Sequence, residues 1–250
     1  MKKNGKILYS FLFVLLGFVF YFNNFLKDNN TNNPIFSVNK EEKVLSLTFD
    51  INWAETEYLY NILDVLDKYN VKGTFFLMGR WINYSDENIE KLKEIKNRGH
   101  ELGNHSYIHP MFTNISKERM ISEIKKTEDV IMEHTGIKTN LFRCPSGDYN
   151  EEVIKTVNSI GYFPIQWDVD SLDWKQLGLD KEYNRVIKNV KPGSIVLFHN
   201  NGKFTPENLD KIISNLKEQN YSFLTVGEMI YKEDYIVDNN GIQHKNSLNN

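Results

Sequence analysis

Short apolar runs alternate with amphipathic helical patterns along most of this 250-residue chain, and this alternation limits the folds that it can adopt. The first apolar run, residues 44–49, precedes a segment in which apolar residues recur every three or four positions from Leu59 to Tyr69, as on one helix face. Six or seven such units in series predict a parallel sheet with helices outside it. Closed on itself, this sheet would be an α/β fold of the irregular (β/α) barrel kind, with about seven strands.

Polar motifs stand at or just after the carboxyl ends of the predicted strands. They are Asp50, His105-Ser106-Tyr107-Ile108-His109, Arg143-Cys144-Pro145-Ser146-Gly147, Asp170-Ser171-Leu172-Asp173-Trp174 and Leu197-Phe198-His199. Barrels of this kind place their catalytic residues at the carboxyl ends of the strands. The sequence therefore predicts that these motifs form one site.

Taken one at a time, several of these residues also have plain structural interpretations. Asp50 fits a helix N-cap or a turn, and His199 fits a hydrogen-bonded histidine at a strand end. His105 and His109 stand four residues apart, so on a helical turn or tight loop both imidazoles can face one point. Neutral imidazoles are good zinc ligands, and a catalytic zinc takes a third protein ligand and an open position for water. Because the other motifs are also present, we interpret His105 and His109 as metal ligands rather than as two unrelated polar residues.

Together these motifs resemble those of the polysaccharide deacetylases of the NodB type, also called family-4 carbohydrate esterases, over residues 44–229. The resemblance implies metal-dependent hydrolysis of N-acetyl groups from amino sugars of peptidoglycan or a related cell-wall or spore polysaccharide. It implies an N-acetylated cell-wall glycan as partner, zinc or another divalent metal as cofactor, and His105 and His109 as metal ligands. The sequence does not separate peptidoglycan from other N-acetylated substrates such as chitin oligomers, because groove loops set that choice.

The resemblance also implies roles for the remaining motif residues. Asp50 is the expected catalytic base, which Arg143 orients through a salt bridge. His199 is the expected acid that protonates the departing amine, with Asp173 as its partner.

The expected substrate contacts come from three further positions. A backbone N–H near Ser146 would stabilise the oxyanion, Trp174 would line the site, and Leu197 would line the pocket for the acetyl methyl group. Cys144 is the only cysteine, so no intrachain disulfide can form. A catalytic thiol at Cys144 is the alternative, although no histidine lies near it in sequence.

One departure from the family pattern bears on the metal. Where the family has a second aspartate as ligand, this chain has Ile51, and Asn52 and Trp53 replace the usual glycine and proline. Three outcomes are open: Asp50 or water completes the shell, Asn52 supplies a neutral oxygen, or the site binds no metal. The same departure resembles a sporulation-associated subset of the family. The alternative function is therefore a catalytically weak or silent barrel that binds glycan or has a structural role in cell-wall or spore assembly.

The N-terminus predicts export. Lys2, Lys3 and Lys6 precede an apolar stretch that runs from Ile7 to Phe22, which is the order of a targeting segment. A bilayer span takes ~20 residues, and no small-x-small cleavage site follows, so an uncleaved single-pass anchor in the cell membrane is favoured over a cleaved signal peptide and secretion. The positive-inside tendency places the rest of the chain outside the cytoplasm.

The expected organisation is an anchor or signal segment at 1–26, a linker at 27–42, a deacetylase domain at 43–232 and a polar tail at 233–250. The net charge is -3, and charged residues make up 25% of the chain, as in ordinary globular proteins. Nucleic-acid binding needs a clustered basic surface, so no nucleic-acid partner is expected.

Overall fold

The computed structural model describes residues 33–246. The expected anchor at 1–26 lies outside this part of the chain. Within the described part, none of the helices combines the length and the apolar character that crossing a bilayer requires.

Short strands alternate with helices along the described chain. The strands are β1 (Ser37–Val38), β2 (Val44–Ile51), β3 (Thr74–Leu77), β4 (Glu101–Asn104), β5 (Leu141–Phe142), β6 (Phe163–Pro164), β7 (Val169–Asp170), β8 (Ser194–His199), β9 (Ser222–Phe223), β10 (Tyr235–Val237) and β11 (Ile242–Lys245). The α-helices are α1 (Leu59–Lys68), α2 (Gly79–Ile82), α3 (Asp86–Asn97), α4 (Lys117–Thr135), α5 (Glu151–Ser159), α6 (Leu179–Asn189), α7 (Thr205–Glu218) and α8 (Val226–Met229). Single 3₁₀ turns lie at Phe112–Asn114, Pro145–Gly147 and Asp173–Lys175.

The strands form one curled sheet in the order β10-β11-β1-β8-β2-β3-β4-β5-β6, with β7 on β8 and β9 on β2. From β8 through β2 to β6, neighbouring strands are parallel. A bridge between Ile35 and Ile165 joins the β6 end of the sheet to the segment that leads into β1. The predicted irregular α/β barrel is confirmed.

The structure corrects both predicted domain boundaries. The chain from 33 to 42 was expected to be a linker, yet β1 lies between β11 and β8, and Ile35 and Val38 are buried. The chain from 233 onward was expected to be a polar tail, yet β10 and β11 form an antiparallel hairpin that buries Val237 and Gln243. An edge hairpin needs few apolar residues, because much of its surface faces water. The described residues 33–42 and 233–246 therefore belong to the domain.

Strand β2 decides which side chains reach the interior of the curled sheet. Its outward-facing residues are fully buried in the main hydrophobic core beneath the helices: Leu45, Leu47, Phe49 and Ile51. The alternate residues Ser46, Thr48 and Asp50 face the interior, because successive strand side chains point to opposite faces. Thr48 Oγ1 there donates a 2.7 Å hydrogen bond to the backbone oxygen of Val196 in β8. The strand thus separates an apolar outer layer from a polar inner one.

Candidate active site

The interior of the curled sheet holds a buried ion pair between Asp50 and Arg143. Arg143 Nη1 donates to Asp50 Oδ1 at 2.9 Å and to Thr48 Oγ1 at 2.9 Å, and Nη2 donates to the backbone oxygen of Gln166 at 3.0 Å. The guanidinium is fully buried and lies 4.0 Å from the centre of the Phe76 ring. A planar cation held by four neighbours has one orientation, so it holds the Asp50 carboxylate in one orientation as well.

Asp50 is ionised at neutral pH. Burial alone raises the pKa of this carboxyl, but the charges of His105 and Arg143 outweigh it, and the pKa lies below its ordinary value. Burial lowers the pKa of His105 to about 4, so this imidazole is neutral near pH 7. The charges of Arg143 and His199 are therefore the causes that act at neutral pH, and Asp50 is available there as a proton acceptor.

His105 presents a lone pair to Asp50. Its Nδ1 lies 2.9 Å from the backbone oxygen of Arg143, and a carbonyl oxygen only accepts, so Nδ1 carries the ring proton. Its Nε2 lies 3.5 Å from Asp50 Oδ2. Two acceptor atoms that face each other at this distance favour a shared cation between them. Metal-binding histidines commonly donate their other ring N–H to a carbonyl in this way.

His109 completes the histidine pair in a strained loop. The ring centres of His105 and His109 lie 4.8 Å apart, and burial lowers the pKa of His109 as well. Ser106 and His109 both have left-handed backbone conformations, with φ of 67° and 62°. Such conformations are costly for residues other than glycine and persist where the surroundings impose them.

Glu123 and Asn104 impose that loop conformation. The buried Glu123 carboxylate, carried by α4, accepts hydrogen bonds from the backbone N–H groups of Tyr107 at 2.9 Å and Ile108 at 2.8 Å. Asn104 Oδ1 accepts from the N–H of Ser106 at 3.0 Å. Sequence reasoning missed both residues. The one signal for Glu123 in the sequence is its place beside Ile124, among the apolar residues of the segment that forms α4.

Ile51 does not reach the pocket. It is fully buried in the main core opposite Leu77 of β3, on the outer face of the sheet. Among residues 33–246, no group of three or more His, Cys, Asp or Glu side chains is arranged to hold a metal ion. At this position the chain therefore has an apolar contact in the core and supplies no ligand to the pocket.

Asn52 offers an oxygen in place of that carboxylate. Its Oδ1 is buried without a hydrogen-bond partner, and Asn52 lines the same pocket as His105 and His109. The Asn200 side chain holds the Asn52 backbone with two hydrogen bonds, of 3.2 Å from Asn52 N and 3.0 Å to Asn52 O. An orphaned acceptor near two neutral imidazoles and a carboxylate fits a divalent metal with mixed nitrogen and oxygen ligands.

His199 stands beside Asp50. The two residues are paired on the neighbouring strands β2 and β8, so their side chains face the same side of the sheet. His199 Nδ1 lies 2.8 Å from Asp173 Oδ1 and, because a carboxylate only accepts, carries a proton. Burial lowers the pKa of His199, but the Asp173 hydrogen bond and charge outweigh it, so the pKa lies above its ordinary value. A histidine of this kind can hold a proton to donate.

Asp173 is itself fixed by its neighbours. Its Oδ2 accepts from the backbone N–H of His199 at 2.8 Å and from Thr205 Oγ1 at 2.7 Å. A methyl group on Gly202 would lie 2.6 Å from that same oxygen and 2.1 Å from Thr205 Oγ1, so only glycine fits there. The Asp173–His199 pair is therefore rigid before any substrate binds.

The pair yields a titration prediction. Replacing Asp173 with asparagine is expected to lower the His199 pKa, because it removes the negative charge that stabilises the imidazolium. Proton NMR titration of the His199 Hε1 resonance measures this shift. Asp170→Asn is the matched control, since Asp170 raises the same pKa by charge alone and comes last among the causes. Equal shifts in the two variants would contradict the assignment of Asp173 as the partner.

Asp50, Asn52 and the three histidines His105, His109 and His199 meet at one open pocket of about 530 Å³. The predicted contact residues Ser146, Trp174 and Leu197 line it together with Asp50, His105, His109 and His199. Ser146 has a left-handed backbone, with φ of 56°. Asp170, which belongs to a predicted motif but was given no role, also lines it, and sequence reasoning missed the lining residues Trp53, Trp167 and Asn201.

Cys144 does not belong to this pocket. It is buried in a separate hydrophobic cluster around Phe142 and Phe112, and burial raises the pKa of its thiol. A reactive cysteine needs a lowered pKa and access to substrate. The thiol interpretation is therefore wrong.

Fold and site together define a class: a curled α/β barrel with an aspartate of lowered pKa, a histidine of raised pKa and a histidine pair at the carboxyl ends of its strands. The chain belongs to the polysaccharide deacetylase family, whose pattern matches residues 37–165. It is 34% identical over 200 residues to the peptidoglycan-N-acetylmuramic acid deacetylase PdaA of Bacillus subtilis, covering 78% of this chain and 74% of that protein.

Solved structures agree with this assignment. The Bc1960 peptidoglycan N-acetylglucosamine deacetylase is 33% identical, with a TM-score of 0.73 over 78% of this chain and 91% of that one. BA3943 of Bacillus anthracis, described as a pseudoenzyme of carbohydrate esterase family 4, is 35% identical, with a TM-score of 0.76 over 87% of this chain and 74% of that one. A BA3943 mutant with restored enzymatic activity is 38% identical, with a TM-score of 0.75 over 81% and 72% of the two chains.

Proposed function

We propose that this protein hydrolyses N-acetyl groups from amino sugars of peptidoglycan or a related cell-wall polysaccharide. The observation that carries the proposal is the placement of an ionised Asp50 beside a proton-holding His199 on neighbouring strands. Such a pair can take a proton from water and give one to a departing amine. The names of PdaA and Bc1960 support peptidoglycan as the substrate class.

Different residues of the pocket act in different steps of amide hydrolysis. Asp50 accepts the proton of the attacking water at Oδ2, because its Oδ1 already binds Arg143. His199 protonates the amine that leaves, and Asp173 holds the imidazole in place from its Nδ1 side. A backbone N–H at Ser146 stabilises the oxyanion, and Leu197 contacts the acetyl methyl group.

A divalent metal, proposed to be zinc, fits the donors of this pocket. His105 Nε2, His109 and Asn52 Oδ1 would hold it, with Asp50 alongside. When bound, such a metal polarises water and the substrate carbonyl. A neutral amide in place of a carboxylate leaves less negative charge around the cation, so affinity is expected to be lower than with a carboxylate ligand.

Removing His105 tests the metal and the activity together. His105→Ala is expected to abolish stoichiometric zinc and to reduce acetate release from peptidoglycan by at least about a hundredfold, because one of the imidazole ligands is lost. Metal content by mass spectrometry and acetate release with and without added zinc measure both effects. His134→Ala, at the last turn of α4, is the matched control. Unchanged metal content and unchanged acetate release in His105→Ala would refute the proposal.

A second candidate function is a silent barrel that binds glycan or has a structural role in cell-wall or spore assembly. The burial of Ile51 in the core favours it, because that position supplies no ligand. The similarity to the BA3943 pseudoenzyme also favours this second function. Glycan binding by the purified domain without any acetate release, at any zinc concentration, would establish this alternative.

We also propose that residues 1–26 anchor the domain in the cell membrane, with residues 33–246 outside the cytoplasm and a role in sporulation. The proposal rests on Lys2, Lys3 and Lys6 before the apolar stretch Ile7–Phe22, and on the Asp50-Ile51 pattern. Retention of the chain in alkali-washed membranes, and its accessibility to protease in protoplasts, test the anchor and its orientation. Release into the medium would favour a cleaved signal peptide.

A further inference from the structure

A second cavity of about 400 Å³ adjoins the reaction pocket, and Trp53 lines both. Tyr60 and Tyr84 contribute further aromatic side chains to this second cavity, and Asn61 and Asn88 contribute amides. Because Trp53 lines both, the two cavities are neighbours, and a ligand longer than a single sugar can reach from one to the other.

Aromatic rings at this cavity are exposed. Trp53 is 43% exposed and Tyr84 is 72% exposed, and their ring centres lie 4.7 Å apart in an edge-to-face arrangement. Large aromatic surfaces usually lie inside a protein, so two in contact at a cavity mouth point to a ligand. We call this pair the Trp53–Tyr84 platform.

The loop that carries Trp53 is held on both sides. Before it, the Asn200 side chain binds the backbone of Asn52. After it, Glu57 Oε1 accepts a 2.7 Å hydrogen bond from Trp81 Nε1, and Lys91 Nζ lies 3.0 Å from Glu57 Oε2. A binding surface that is already ordered loses little conformational entropy when a ligand arrives.

A pyranose ring matches this surface. The faces of such a ring carry C–H groups that pack on aromatic rings, and its rim carries hydroxyl groups that bond to amides and carboxylates. We propose that the Trp53–Tyr84 platform binds a sugar of the same glycan next to the one in the reaction pocket, so that the protein prefers linked sugars to a single one. The inference rests on the proposed function, which identifies the pocket lined by Asp50 and His199 as the place where the sugar reacts.

Binding of N-acetylglucosamine and its β-1,4-linked oligomers of increasing length tests the platform, measured by calorimetry on the metal-free protein. Tyr84→Ala and Trp53→Ala are each expected to lower the preference for the pentamer over the monomer on the order of tenfold, the size of one lost aromatic contact. Tyr84→Phe is expected to keep the parent preference, because it keeps the ring. Met132→Ala, an exposed residue of α4 that lines neither cavity, is the control.

The outcomes separate the platform from the proposed hydrolysis. Length preference that depends on Tyr84, without acetate release from any glycan, supports the platform and overturns the deacetylase proposal. Acetate release together with an unchanged length preference in both alanine variants overturns the platform alone. If Trp53→Ala does not fold, the highly exposed Tyr84 decides the question, because its replacement removes no core contact.

Discussion

Replacing Asp50 with asparagine is expected to reduce acetate release from peptidoglycan by roughly a hundredfold to ten-thousandfold, the range for loss of a general base. Stability is expected to fall at the same time. Arg143 is fully buried and Asp50 is the carboxylate in contact with it, so the variant leaves a buried cation unpaired, at a cost of about 3 kcal/mol or more. Urea unfolding and acetate release measure the two effects.

A double-variant cycle separates the two roles of Asp50. Arg143→Met alone is expected to destabilise the protein, because it leaves the Asp50 carboxylate buried and unpaired. The Asp50→Asn, Arg143→Met double variant is expected to recover part of the lost stability and none of the activity. Additive losses of stability would show that the pair does not interact as its 2.9 Å separation indicates.

Introducing the family's missing carboxylate at Ile51 is expected to damage the fold and leave the site unchanged. Ile51→Asp would place a charge in the main core beside Leu77, so the free energy of unfolding should fall by ~3 kcal/mol or more. Zinc affinity should not rise, because strand alternation turns position 51 to the outer face while Asp50 faces the pocket. Urea unfolding and zinc titration of the purified domain measure both.

Two controls sharpen this experiment. Ile51→Val removes one methylene without adding charge and should cost only ~0.5–1.5 kcal/mol. Asn52→Asp adds a carboxylate at the residue that does line the pocket, and it is expected to raise zinc affinity. A gain of zinc affinity in Ile51→Asp with unchanged stability would show that β2 turns position 51 toward the pocket when a metal is offered.

Much of the site followed from local sequence. The motifs predicted at strand ends do meet, and α4 lies between the Ser116 cap and Gly136, two residue types that favour helix ends. Each motif, and each residue that bounds this helix, can be identified from residues close together in the chain. The same reasoning failed at the domain ends, where β1 and the β10–β11 hairpin carry few apolar residues and pair with strands far away in sequence.

The sequence by itself determined the alternation of strands and helices, the family and the set of polar residues available for chemistry. Only the tertiary structure decided that Glu123 of α4 holds the histidine loop, that Asn200 holds Asn52, and that Ile51 belongs to the core. The physical reason is that hydrogen bonds and packing between distant segments set where each side chain points. Ile51 and Asn52 are adjacent, yet Ile51 packs in the core and Asn52 lines the pocket. A strand directs alternate side chains to opposite faces, and in the loop after the strand the Asn200 hydrogen bonds hold the Asn52 backbone.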